Sequence, residues 1–148
     1  MKADRFHIIQ LLVFSLLLFA CSSEESRKEQ YLKDLVLEFS TSLDECHENI
    51  IVLPGSGCSG CITVGEDFLK NNHSEAGNYF ILTNVTSLKI LNHKLGLDVR
   101  TLPNVYIDRE NKFSNSTDLI YPAVIQRDCE SGKIKSIAYQ TTENNAFP

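Results

Sequence analysis

Ile50-Ile51-Val52-Leu53-Pro54-Gly55-Ser56-Gly57-Cys58-Ser59-Gly60-Cys61 joins an apolar run of strand length to two cysteines spaced C-x-x-C, and the residues that follow read as a helix. On the first turn of a helix that spacing brings two sulfurs within bonding distance. The unpaired N–H groups and the dipole at the helix start stabilise a thiolate on the first of them. A free cysteine has a pKa of about 8.5, and pairs of this kind fall to roughly 3.5–7.5. Cys58 therefore reads as a nucleophile and Cys61, one turn inward, as the thiol that resolves what Cys58 forms.

Outward from this stretch, the elements alternate. Upstream, Ser26-x-x-Glu29 has the form of a capping box, and Leu32, Leu35, Val36, Phe39 and Leu43 recur at helical spacing, which predicts a helix over 27–47 with a break near Ser40-Thr41-Ser42. Downstream, a helix is expected from Cys61 to about Asn71, then a strand at Tyr79-Phe80-Ile81-Leu82. A third helix runs from Ser87 to Leu95 and stops at Gly96. Asn104-Val105-Tyr106-Ile107-Asp108 is a short strand. Ala123-Val124-Ile125-Gln126 and Ile134-Lys135-Ser136-Ile137-Ala138-Tyr139 flank Glu130-Ser131-Gly132 as a hairpin, with Lys133 and Lys135 guarding an edge.

The N-terminus reads as an export signal. Lys2 and Arg5 precede Ile8–Ala20, which is almost wholly apolar yet shorter than the roughly 20 residues a membrane helix needs. Leu18-Phe19-Ala20-Cys21 resembles a lipobox, with Phe19 where a small or β-branched residue is usual. Residues 1–20 are thus expected to be a lipoprotein signal peptide, with an uncleaved anchor as the alternative. Cys21 is the expected lipidation site, holding the chain to a membrane through more than one acyl chain. The small, acidic segment 21–26 is a tether, and 27–148 is one domain in the cell envelope, facing the periplasm or the cell surface. Cleavage takes away Lys2, Arg5 and Asp4, a net +1, so the charge moves from −5 to −6. That balance excludes nucleic acid as a partner class. The remaining 128 residues can bury a core without covalent help, so the five cysteines need a chemical explanation.

The order helix, strand, C-x-x-C, helix, strand, helix, strand and a proline-led hairpin resembles the thioredoxin fold. The match is closest to the exported, membrane-anchored thioredoxin-like proteins of the TlpA and ResA type, over roughly residues 45–140. The resemblance implies an α/β fold, a three-layer α/β/α sandwich with a central mixed sheet. It also implies a thiol-disulfide oxidoreductase, reductase or isomerase, with Cys58 and Cys61 as catalytic residues and no cofactor. Its partners would be an exported protein carrying disulfides or dithiols and an upstream membrane electron donor.

The family also places a cis-proline opposite the C-x-x-C, with the residue before it facing substrate. Tyr121 and Pro122 are favoured for that role because a hairpin follows them; Leu102 and Pro103 are the alternative. In that arrangement the strand led by Pro122 lies antiparallel to the C-x-x-C strand, so Cys129 arrives near Cys46. The two either form a structural disulfide or stay as separate buried thiols. The chain departs from the family pattern where Gly57 replaces the Trp before the first cysteine and Ser59-Gly60 replaces Gly-Pro, and too little sequence follows residue 140 for a closing helix.

Two other readings of the cysteine pair stand beside this one. A zinc site would need Cys46, His47 and Cys129 to complete its ligands, since no second C-x-x-C exists. A copper site could add His73 or His93 to the two thiolates. The strand-to-helix context and the export signal favour redox exchange, and no metal is assigned. A binding module without catalysis is disfavoured by the intact pair. His47, His73 and His93 read as surface residues, Glu66 and Asp67 as complements to the helix dipole. The sequons at Asn72, Asn84 and Asn115 carry no weight beside a bacterial export signal.

Overall fold

Ile50–Leu53 shows no alternation of polar and apolar residues because both faces of its strand are buried. In the computed structural model, which describes residues 26–115, 117 and 119–148, that strand is β1 (Asn49–Pro54), the centre of a five-stranded mixed sheet. The expected signal peptide, the expected lipidation site Cys21 and most of the expected tether lie outside the described residues. On one side β1 pairs in parallel with β2 (Asn78–Thr83), and β2 with β3 (Val105–Asp108). On the other it pairs antiparallel with β4 (Ala123–Arg127), which pairs antiparallel with β5 (Ile134–Tyr139). The order is β3-β2-β1-β4-β5.

Each face of the sheet is closed by helices. Residues 26–40 form α1, whose Leu32, Leu35 and Val36 pack with Ile50, Val52, Ile81 and Ile125. Phe113 of α4 (Lys112–Asn115) joins the same cluster. On the opposite face Leu69 of α2 (Ser59–Asn72) and Leu91 and Leu95 of α3 (Leu88–Leu95) meet Ile51, Leu53, Phe80 and Leu82. The fold is α/β, helices on both sides of a mixed sheet, and is compatible with a thioredoxin-like sandwich.

Local chemistry sets the element ends. The helix expected over 27–47 stops at residue 40, where Ser40, Thr41 and Ser42 donate their hydroxyl protons to the carbonyls of Leu37, Glu38 and Phe39 at 2.8, 2.7 and 2.6 Å. Those bonds satisfy carbonyls that a helix end leaves open. Ser26 already lies within α1 and so does not cap it. Ser87 caps α3 by accepting the Ile90 N–H, and Gly96 ends it at φ 72°, a left-handed conformation natural to glycine.

Two short elements carry no period long enough to read from sequence. One is the 3-10 turn Val99–Thr101, capped by Asp98 through the Arg100 N–H. The other is α4, set by a buried carboxylate: Asp108 accepts the Thr83 hydroxyl at 2.8 Å and the Phe113 N–H at 2.9 Å. In the β4–β5 turn Asp128 accepts from the Ser131 hydroxyl and the Glu130 N–H, and these bonds hold its carboxyl below the usual carboxylate range.

Candidate functional site

The C-x-x-C sits where β1 gives way to α2. Cys58 is the residue before the helix, with extended backbone (φ −66°, ψ 98°), and its carbonyl accepts the Ile62 N–H at 2.9 Å. Its Cα lies 5.3 Å from that of Cys61, and the two sulfurs are bonded. Cys58 is partly exposed, whereas Cys61 keeps 2 % of its surface. The first turn of α2 contains no acidic residue, so nothing there opposes a negative charge on Cys58 once the bond is reduced. Glu66 and Asp67 fall in the middle of α2 rather than its early part. Glu66 is ion-paired with Lys94 of α3, which corrects their reading as complements to the helix start.

The segment that leads into β4 meets this pair through the backbone of Ile120, next to Tyr121 and Pro122. Because β4 runs antiparallel to β1, its first residue, Ala123, lies opposite Val52, near the end of β1 that leads to Cys58. The Cys58 N–H donates to the Ile120 carbonyl at 3.0 Å. This approach depends on Gly57, whose φ is 136°: a Cβ there would lie 2.3 Å from the Ile120 oxygen. A second glycine works below it. A Cβ on Gly65 would come within 3.3 Å of both Pro122 Cγ and Phe147 Cζ and within 2.7 Å of Leu53 Cδ2, so the glycine spares these side chains a shift where α2 packs on them.

Leu102 and Pro103 lie elsewhere. They precede β3, which is parallel to β2 and therefore to β1, so they are at the sheet end away from Cys58. Strand direction alone excludes them from the C-x-x-C. The expected cis-proline is also corrected: all peptide bonds among the described residues are trans. The trans form is the lower in energy even before proline, by about 0.5–1 kcal/mol. Pro122 packs against α2 at Gly65 in that form.

At the same far end, Cys46 precedes β1 and Cys129 follows β4. They are joined in a disulfide with Cα atoms 5.7 Å apart, within the usual reach of such a bond. Cys46 and Cys129 therefore hold no free thiolate for zinc. His47, expected at the surface, is buried, and its Nδ1–H donates to the Ala76 carbonyl at 2.7 Å. Among the described residues no three His, Cys, Asp or Glu side chains gather as a metal site would require. His93 is exposed on α3 and His73 follows the last residue of α2, the helix end away from the cysteines.

The chain matches no protein-family model, no curated protein and no solved structure. The site's chemistry thus rests on its geometry. A C-x-x-C pair at bonding distance, one sulfur outward and one inward, is compatible with redox activity. Among the described residues, no helix is long and apolar enough to cross a membrane.

Three contributors to the site escape a reading of the sequence. Ile120 acts through its carbonyl, for which no side-chain pattern exists. Gly65 interrupts a helical stretch, which is the one signal that a close approach occurs there. Phe147 is an isolated aromatic in a polar stretch, where periodicity has nothing to act on. Its ring stacks on Phe68 at 4.6 Å. The segment reaches that place because Gln140 donates its N–H to the Pro122 carbonyl and accepts the Ala146 N–H through Oε1 at 2.9 Å. The segment around Phe147 is thus tied down against α2.

Proposed function

We propose that the chain is an exported, lipid-anchored thiol-disulfide oxidoreductase, a reductase or isomerase of the TlpA and ResA type. The observation that carries this reading is the asymmetry of Cys58 and Cys61: a partly exposed sulfur at a helix start, and a buried one behind it. Cys58 thiolate attacks one sulfur of a substrate disulfide. That S–S bond breaks, a mixed disulfide forms, and the departing sulfur takes a proton from water. Cys61 thiolate then attacks Cys58 Sγ, releases the second substrate sulfur and leaves Cys58–Cys61 oxidised, so two electrons have passed to the substrate. A membrane dithiol donor would return them. Tyr121, half-buried and next to the Ile120 whose carbonyl bonds the Cys58 N–H, would face a substrate segment, with Pro122 buried behind it. The lipid anchor at Cys21 keeps the reaction at a membrane.

The test is turnover. The full chain in detergent micelles, given insulin as the disulfide and dithiothreitol as the donor, is expected to speed the release of insulin chains well above the donor alone. The same sample is assayed for bound copper and zinc. No acceleration, with stoichiometric metal that blocks labelling of both Cys58 and Cys61, would instead assign the pair to metal handling.

A further inference from the structure

A pocket of about 200 Å³ opens between α2 and α3, beside the C-x-x-C loop. Pro54, the last residue of β1, and Gly55, on the loop that carries Cys58, form one wall. Ile62, Leu69, Leu82, Val85, Ile90 and Leu91 supply an apolar lining. Ile90 is 71 % exposed at its mouth. The only charged groups that line it, Glu66 and Lys94, are paired with each other. The pocket therefore offers no net charge and complements an uncharged occupant.

We infer that this pocket is a specificity site for one branched or aromatic apolar side chain of the disulfide-bearing peptide segment, seated while its cysteine reacts with Cys58. The inference rests on the thiol-disulfide reading above and adds the class of sequence it prefers. Size and position both point to a single side chain. The volume is below the 300–1,000 Å³ typical of sites for whole small molecules. An extended peptide advances roughly 3.3 Å per residue, so a side chain a few positions from the reacting cysteine reaches the pocket from the C-x-x-C loop. Hydrophobic pockets discriminate by about tenfold or more for each methylene that they bury.

The experiment compares kcat/KM of the full chain in detergent micelles for two short glutathione-capped cysteine peptides, identical but for Leu or Ala near the cysteine, with oxidised glutathione as a small disulfide that cannot fill the pocket. The Leu peptide is expected to react at least about tenfold faster than the Ala peptide at its best spacing. Ile90→Glu, at an exposed position, is expected to bring that ratio close to one, and Leu91→Ala, which deepens the pocket, to move the preference toward Phe. Equal rates for Leu and Ala peptides at every spacing, with oxidised glutathione reacting normally, would overturn the pocket's role and leave the redox reading standing. Failure of all three disulfides to react would overturn both. Equal rates together with self-association that Ile90→Glu abolishes would assign the pocket to a second copy of the chain and equally overturn the proposal.

Discussion

Cys61→Ser is expected to trap the substrate on Cys58, and the trapped species is expected to be a one-to-one mixed disulfide. Attack by Cys58 needs only its own thiolate, which the substitution leaves in place at the start of α2. Resolution needs a second sulfur held next to the first, and Cys61 lies 5.3 Å away between Cα atoms. Effective concentrations for well-placed groups in one molecule exceed those of millimolar thiols in solution by many orders of magnitude. Steady turnover should therefore fall at least about a thousandfold, while non-reducing mass spectrometry finds the adduct. Cys58→Ser should lose turnover to the same degree with no adduct, because a serine hydroxyl is not ionised at neutral pH. Since Cys61 is buried, a serine there leaves a polar group to satisfy, and Cys61→Ala provides the same trap without it. Adduct on Cys61 in the Cys58→Ser protein, at the rate of the reciprocal variant, would contradict the assigned order of attack.

The second large effect belongs to the other pole. Replacing both Cys46 and Cys129 by serine should lower stability by about 2–4 kcal/mol, because the bond closes a loop with a sequence separation of 83. For a domain of this size that is a fall in Tm of roughly 10 °C. Both cysteines are exposed, so the serines bury nothing and the loss reports the cross-link itself. The Arg127 N–H already donates to the Glu48 carbonyl at 2.7 Å, so the bond staples strands that are paired in any case. The Cys58–Cys61 midpoint should stay where it is, since β1 separates the two disulfides along its whole length. Calorimetry of the double variant checks the first point; an unchanged Tm would show that the bond constrains nothing that matters to the unfolded chain.

Legibility followed physical range. β1 and α2 could be read because each rests on local signals: a short apolar run, turn residues, and a cysteine pair at a junction. Ser87 and Gly96 bracket α3 by capping chemistry that acts within four residues. Strand order is a different kind of fact. That Leu102–Pro103 lies at the far end of the sheet follows from β3 being parallel to β2, which no residue in β3 announces. The contact of Gly57 with Ile120 and the burial of His47 against Ala76 likewise join segments distant in sequence. A histidine beside polar neighbours looks like a surface residue until a carbonyl from another element arrives to accept its proton. The tail is the extreme case, since Phe147 is placed by Gln140 and by a notch at Gly65.

The central claim is that Cys58 and Cys61 exchange two electrons with a partner while Cys46 and Cys129 stay bonded. It is tested most directly by titrating the full chain across a graded thiol buffer, labelling free thiols, and locating the label by mass spectrometry. The expected result is one reversible two-electron transition confined to Cys58 and Cys61, at a potential within the roughly −270 to −120 mV spanned by such pairs, with Cys46 and Cys129 unlabelled throughout it. A pair that remains bonded in the most reducing buffer, or a transition in which all four cysteines become labelled together, would contradict it.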